Sequence, residues 1–340
     1  MAFFLVGVLG GGIWAAEEFL QGDLDKSGLI DSDDLVLLAN YLAGNFDALP
    51  VHYGQIIEVD RIVGALRRIP AGSLAQGSLG TEPCRYSDES QFSHILTKTL
   101  AVMETEVTRR MWADLKVLQP TLPDDPSDAN HSPSDQHPVQ LASWYDAVLF
   151  ANLLSTEHGL IWCYYADAAF TVPINATNYT AGSVYCDWDA PGFRLPTEGE
   201  WEYFCRAGTT TPFWIEETNY TTANCESSSS GLFASLETAA WFKDNTSAFF
   251  ATGQAASKLA NAWGLYDTHG NVKEWCWDLY QAAYPSSGTD YTGPTTGSDR
   301  VVRGGGFVSF AKWCRSAARG MYPPGNSSVE IGFRLVRQVD

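Results

Sequence analysis

The first residues able to do chemistry form one short acidic stretch. Asp23, Asp25, Ser27, Asp31 and Asp34 fall at positions one, three, five, nine and twelve of a loop, and the carbonyl of Leu29 falls at seven. Gly28 stands at position six, where such a loop turns sharply, and Ile30 at eight points an apolar side chain inward. Oxygen donors at this spacing suit a hard dication, so the stretch predicts one Ca²⁺ site; an acidic surface turn ahead of a helix is the competing reading. The nitrogen and sulfur donors are less organised. His52, His94, His131, His137, His158 and His269 make no HxxxH pair and no visible two-histidine, one-carboxylate set. His131 and His137 sit in a Pro-, Ser- and Asp-rich loop and read as solvated, and His269 reads as a backbone-bonded turn residue. The seven cysteines contain no CxxC, which excludes a zinc ribbon or a thioredoxin-type dithiol, and their odd number leaves at least one thiol unpaired.

The elements that must position these groups can be traced along the chain. After the acidic loop, LVLLANYLAGN carries apolar residues at helical spacing and ends at Gly44. Gly54, Ile56 and Asp60 repeat Gly28, Ile30 and Asp34 at a fixed offset, but Leu49, Val51 and Tyr53 occupy the former ligand slots. Only the packing half of a second repeat survives, in EVDRIVGALRRI, which predicts a helix pair over 20–68 holding a single ion. Beyond Arg68 the chain is rich in Gly, Trp, Tyr and Asn between short apolar runs, the composition of an irregular fold held by buried aromatics. Three helices stand out there: RRMWADLKVL capped by Thr108, WYDAVLFANLLSTE capped by Ser143 and closed by Gly159, and a short one opened by Thr197.

Composition narrows the partners. Lys and Arg total 21 against 40 Asp and Glu, a net charge of −19, so nucleic acid and anionic membrane surfaces are repelled. The apolar run at 2–16 is too short and Gly-rich to span a bilayer; it reads as a signal segment over 1–16 without a basic start, or as a buried N-terminal element. The expected division is therefore 1–16, a small module at 20–68 and a main domain at 69–340, in an exported protein found outside the cell or at its surface.

Two resemblances sharpen this. The loop-helix repeat resembles a dockerin module, an EF-hand-like α-helical unit, which would imply a cohesin-like protein partner. The ordered strings IPAGS, METEVT, PVQLASWYDAVLFANLLS, FRLPTEGEWEYFCRAG, NAWGLYDTHGNVKEW, RVVRGGGF and IGFRLV resemble the formylglycine-generating enzyme (sulfatase-modifying factor) family. That resemblance implies an α+β fold of C-type-lectin-like type with low regular structure, often carrying structural calcium. It implies calcium at Asn271, the carbonyl of Val272 and Glu274, with Asn224 a candidate for another site. The plainer alternatives are a turn residue at Asn271 and an ion pair at Glu274. Arg194 and Arg334, set in apolar strings, are expected to pair with Glu198, Glu200 or Glu274.

The family's oxidases hold copper between two cysteines near the C-terminus, and Cu(I) needs both sulfurs. Here Ser309 and Cys314 occupy those positions, so no copper-thiolate site is expected. The same segment resembles the binding face of lectin-fold variable proteins diversified by retroelements. It nominates Ser309, Phe310, Lys312, Trp313 and Tyr322 as contacts for an unidentified ligand, with Phe307 assigned to the core and Phe310, Trp313 and Tyr322 open between surface and core. The sequence thus favours a calcium-stabilised binding or accessory protein, with a sulfatase-modifying oxidase and a diversified receptor as alternatives.

Overall fold

The computed structural model describes residues 54–180, 182–227, 229–246 and 251–339. The acidic loop from Asp23 to Asp34, the 1–16 segment and the first helix of the expected module lie outside these residues. The surviving half of the repeat, which lies within them, departs from expectation. EVDRIVGALRRI is not a helix: β1 (Gln55–Asp60) and β2 (Gly64–Ile69) form an antiparallel hairpin. The turn explains it. Asp60 Oδ1 accepts the N–H groups of Ile62 and Val63 at 2.7 and 2.6 Å, and Gly64 takes φ +73°, where a side chain would be strained. The hairpin pairs through β2 with β5 (Thr99–Met103), so it belongs to the main domain rather than to a module ending at residue 68.

The fold mixes helices and strands. In sheet order, β1-β2-β5 is completed by β13 (Val336–Val339). A second sheet runs β11 (Gly320–Tyr322), β10 (Arg300–Arg303), β8 (Lys273–Leu279), β12 (Ile331–Gly332). RVVR and the start of IGFRLV therefore flank β8 on opposite sides. A third sheet joins β3 (Gly72–Gln76), β4 (Phe92–Leu96) and β9 (Ser287–Thr289), and β6 (Tyr164–Tyr165) pairs with β7 (Tyr185–Cys186).

All three expected helices form, each with its cap. α1 spans Arg109–Leu118 behind Thr108, α2 spans Trp144–Glu157 behind Ser143, and α3 spans Glu198–Arg206 behind Thr197. A short α4 (Ala234–Ala239) begins without a side-chain cap and so carries no start signal in the sequence. Ser143 and Asp146 exchange hydrogen bonds as a capping box, and Gly159 at φ +62° ends α2. α2 is buried along nearly its whole length and is the spine of the core, packed against Trp275, Ile331, Phe333 and Leu335.

Between these elements the frame is braced by buried arginines. Arg194 makes a two-pronged pair with Glu200 at 2.7 Å, and Arg334 does the same with Glu274. Both carboxylates are among those the sequence nominates. Arg319 clamps Glu198, Arg303 bonds Glu202, and Arg315 bonds both Glu82 and Glu89. A planar guanidinium suits this role because it matches a carboxylate with two parallel hydrogen bonds and stays charged when buried. One disulfide, Cys84–Cys225, ties two surface loops, and Cys163, Cys186, Cys205, Cys276 and Cys314 are free and buried.

Candidate functional site

The segment between β10 and β12 is placed by backbone anchors along its length. Phe307 N–H donates to the carbonyl of Asn271 at 2.8 Å, Lys243 N–H donates to that of Ser309 at 3.0 Å, and Ser316 N–H to that of Pro212 at 2.7 Å. Gly305, at φ +71°, lets the chain pass so close to Cys314 that a Cβ would meet the sulfur at 2.8 Å. The loop so formed walls an open cleft of about 600 Å³.

Ser309, Phe310, Trp313 and Tyr322 all line this cleft. The three rings, open between surface and core on sequence grounds, are half-buried, and Phe307 is fully buried as expected. Trp313 stacks on Tyr86 with ring centroids 4.6 Å apart. Phe310 carries the Lys243 ammonium 3.9 Å from its ring centre, and the Tyr322 hydroxyl is 3.4 Å from Lys273 Nζ. Lys312 departs from the group: it pairs with Glu226 beside the disulfide and lines a neighbouring hollow instead. Val308 and Met321, from the same segment, line it too, whereas the walls from other parts of the chain have no counterpart in the sequence. Tyr86 and Asp88 come from the loop behind the disulfide, Tyr280 from just past the end of β8, and Lys273 and Glu330 are paired at 2.7 Å. Tyr280 donates to Asp88 at 2.7 Å, and burial together with that carboxylate pushes its phenol up to about 12. Nothing in the sequence around Tyr86 or Tyr280 marks them, because only the fold brings those loops together.

The two positions corresponding to the family's cysteine pair have separate surroundings. Ser309 Oγ accepts the Gly306 N–H at 3.0 Å at the cleft wall. Cys314 is fully buried, its Sγ 3.8 Å from the Phe310 carbonyl, and burial raises its pKa far above that of a free thiol. The other sulfurs of its apolar cluster, Cys84 and Cys225, are bonded to each other. This donor set does not fit a Cu(I) ion that needs two thiolates, since a hydroxyl is a poor substitute.

The 267–274 string shows which of its residues could hold a cation. Asn271 takes φ +58°, the turn reading, and its side chain is committed to Glu106 and to the Gly253 N–H, each at 2.9 Å. Glu274 takes the ion-pair reading with Arg334 and also accepts from Trp201 Nε1 at 2.8 Å. Yet three buried carboxylates, Glu106, Asp267 and Glu274, face Arg334, and Asp267 Oδ1 has no partner. Burial holds the Asp267 acid up near 6. Both Glu274 oxygens are taken by Arg334 and Trp201, so Asp267 Oδ1 is the one carboxylate oxygen of this string left unpaired. Asn224 is spent on its own turn, bonding Thr221 and Asn219. His269 is buried and accepts the Trp214 N–H at 3.1 Å, with burial depressing its pKa to about 3, in line with a backbone-bonded residue.

Among the described residues, no helix is long and apolar enough to cross a membrane. Over 278 residues the chain is 25% identical to the chaperone protein LppX of Paenibacillus barcinonensis, covering 77% of this chain and 86% of that protein. It is 34% identical over 176 residues to the formylglycine-generating enzyme of Streptomyces coelicolor, covering 49% of this chain and 53% of the enzyme. Among solved structures, Treponema denticola variable protein 1 superposes with a TM-score of 0.66 and 29% identity, over 84% of this chain and 99% of that one. The sulfatase-modifying factor enzyme 1-like domain matches residues 60–339, and the chain belongs to that family.

Proposed function

We propose that the protein is a binding or accessory member of this family that uses the aromatic cleft to hold a ligand and lacks copper-thiolate oxidation. The carrying observation is the lone thiol of Cys314, buried beneath the cleft wall with Ser309 where a second sulfur would be needed. The likeness to a chaperone and to a variable protein supports the same reading. In the test, the protein is supplied with Cu(I) and a Cys-containing sulfatase peptide. The peptide is expected to keep its mass; conversion that disappears in Cys314→Ser would sink the reading.

Calcium belongs to the proposal at two places, the Asp23–Asp34 loop and the turn that carries the unpaired Asp267 Oδ1 and the Val272 carbonyl. Calorimetry on the full chain is expected to show two Ca²⁺ ions, one lost in Asp23→Ala with Asp31→Ala and the other in Asp267→Asn. Uptake unaffected by either change would remove calcium from the account. Export is supported by the Cys84–Cys225 bond, since disulfides persist in oxidising compartments. A cohesin-like partner rests on the sequence resemblance of the N-terminal loop.

A further inference from the structure

One side-chain cluster outside the cleft lining combines nitrogen and oxygen donors. Glu58 and Asp60 lie on β1, and His158 caps the C-terminal end of α2. Each offers one ligand atom, and the three atoms lie within 4.8 Å of one another. His158 Nε2 stands 2.9 Å from Asp60 Oδ2, and Nδ1 stands 3.9 Å from Glu58 Oε1.

Both carboxylates are oriented from behind. Asp60 Oδ1 is occupied by the N–H groups of Ile62 and Val63, and Glu58 Oε2 by Arg337 on β13. Each therefore keeps one oxygen toward the imidazole, Asp60 at Nε2 and Glu58 at Nδ1, so an ion held at Nε2 draws Glu58 round to it while the outer partners keep both carboxylates in place. Adjacent ligands on a tetrahedral ion about 2.1 Å from each stand about 3.4 Å apart, so a ring and a carboxylate 2.9 Å apart need to part only slightly to share one ion. Asp60 is almost wholly buried, while Glu58 and His158 stay partly open, which leaves room for water to complete the shell. The plainer account is a single hydrogen bond between ring and Asp60. A protonated ring would pair with both carboxylates, so the metal reading is one in which a dication takes that proton's place.

We propose that Glu58, Asp60 and His158 bind a transition-metal dication of the zinc type, fastening the β1–β2 hairpin to the end of α2. The imidazole sets this site apart from oxygen-only calcium sites, because it favours borderline-soft ions. The test uses the full chain, stripped of metal and then saturated with Ca²⁺ to fill any oxygen-only site, and titrated with Zn²⁺ by calorimetry. One Zn²⁺ ion is expected, weakened tenfold or more in both His158→Gln and Glu58→Gln. Loading with Co²⁺ should give visible ligand-field absorption that His158→Gln loses. Glu58→Gln is decisive, because it leaves the contact between His158 and Asp60 intact. Unchanged Zn²⁺ affinity in that variant, or no uptake by the wild type, would reduce the cluster to a hydrogen bond.

Discussion

Glu274→Ala is expected to lower the unfolding free energy by about 3–5 kcal/mol, enough to leave little folded protein in a domain of ordinary stability. The residue is fully buried and serves two partners. Its oxygens take Arg334 at Nε and Nη2, both at 2.7 Å, and Trp201 Nε1 at 2.8 Å. Removing it strands a buried guanidinium that also holds the carbonyls of Met103, Glu104 and Tyr266, so the damage reaches the β2-β5-β13 sheet. Glu274→Gln, which keeps an acceptor for the indole, should lose less. Urea unfolding of the three proteins measures this, and a loss below about 1 kcal/mol in the alanine variant would show that the pair is not a brace.

The second large effect concerns binding. Trp313 and Tyr322 both line the cleft, and large rigid rings in a central pocket typically dominate contact energy. With no natural ligand in hand, phage-displayed random peptides selected on the wild type provide the probe. Trp313→Ala with Tyr322→Ala is expected to weaken those peptides a hundredfold or more. Val117→Ala, at an exposed position on α1 away from the cleft, should leave them unchanged. The Tyr86 stack and the Lys273 contact contribute about 0.5–1.5 kcal/mol each by analogy with similar pairs, so the double variant should still fold. Peptides that bind the double variant as well as the wild type would move the binding face elsewhere.

These two sites show what a single sequence discloses. Helix starts are legible because caps are local: Thr108, Ser143 and Thr197 each act on an N–H three residues on. The Arg334 pairing is legible because an arginine in an apolar string must find a carboxylate. EVDRIVGALRRI misleads, since its apolar spacing suits a short helix as well as a hairpin. Asp60 aligns with a worn calcium slot, and its Oδ1 together with Gly64 is the turn signal. Glu58, Asp60 and His158 form no pattern in the sequence because the hairpin and α2 meet only in three dimensions. The cleft's Tyr86 wall is hidden for the same reason, being held by the disulfide and by Arg315 on Glu82 and Glu89.

The braces that close this frame join the beginning of the domain to its end. Arg337 reaches Glu58 across 279 residues and Arg315 reaches Glu89 across 226. A ribosome adding roughly 5–20 residues per second needs about 15–55 seconds between the first pair's members, during which early carboxylates stay solvated and unpartnered. The apolar flanks of α2 wait as well, because β8, β12 and Phe333 that cover them are made late. Assembly is thus post-translational in character, with a long interval in which a greasy helix is uncovered. A chain whose braces close over such separations is expected to refold slowly, which stopped-flow fluorescence after dilution from urea would measure.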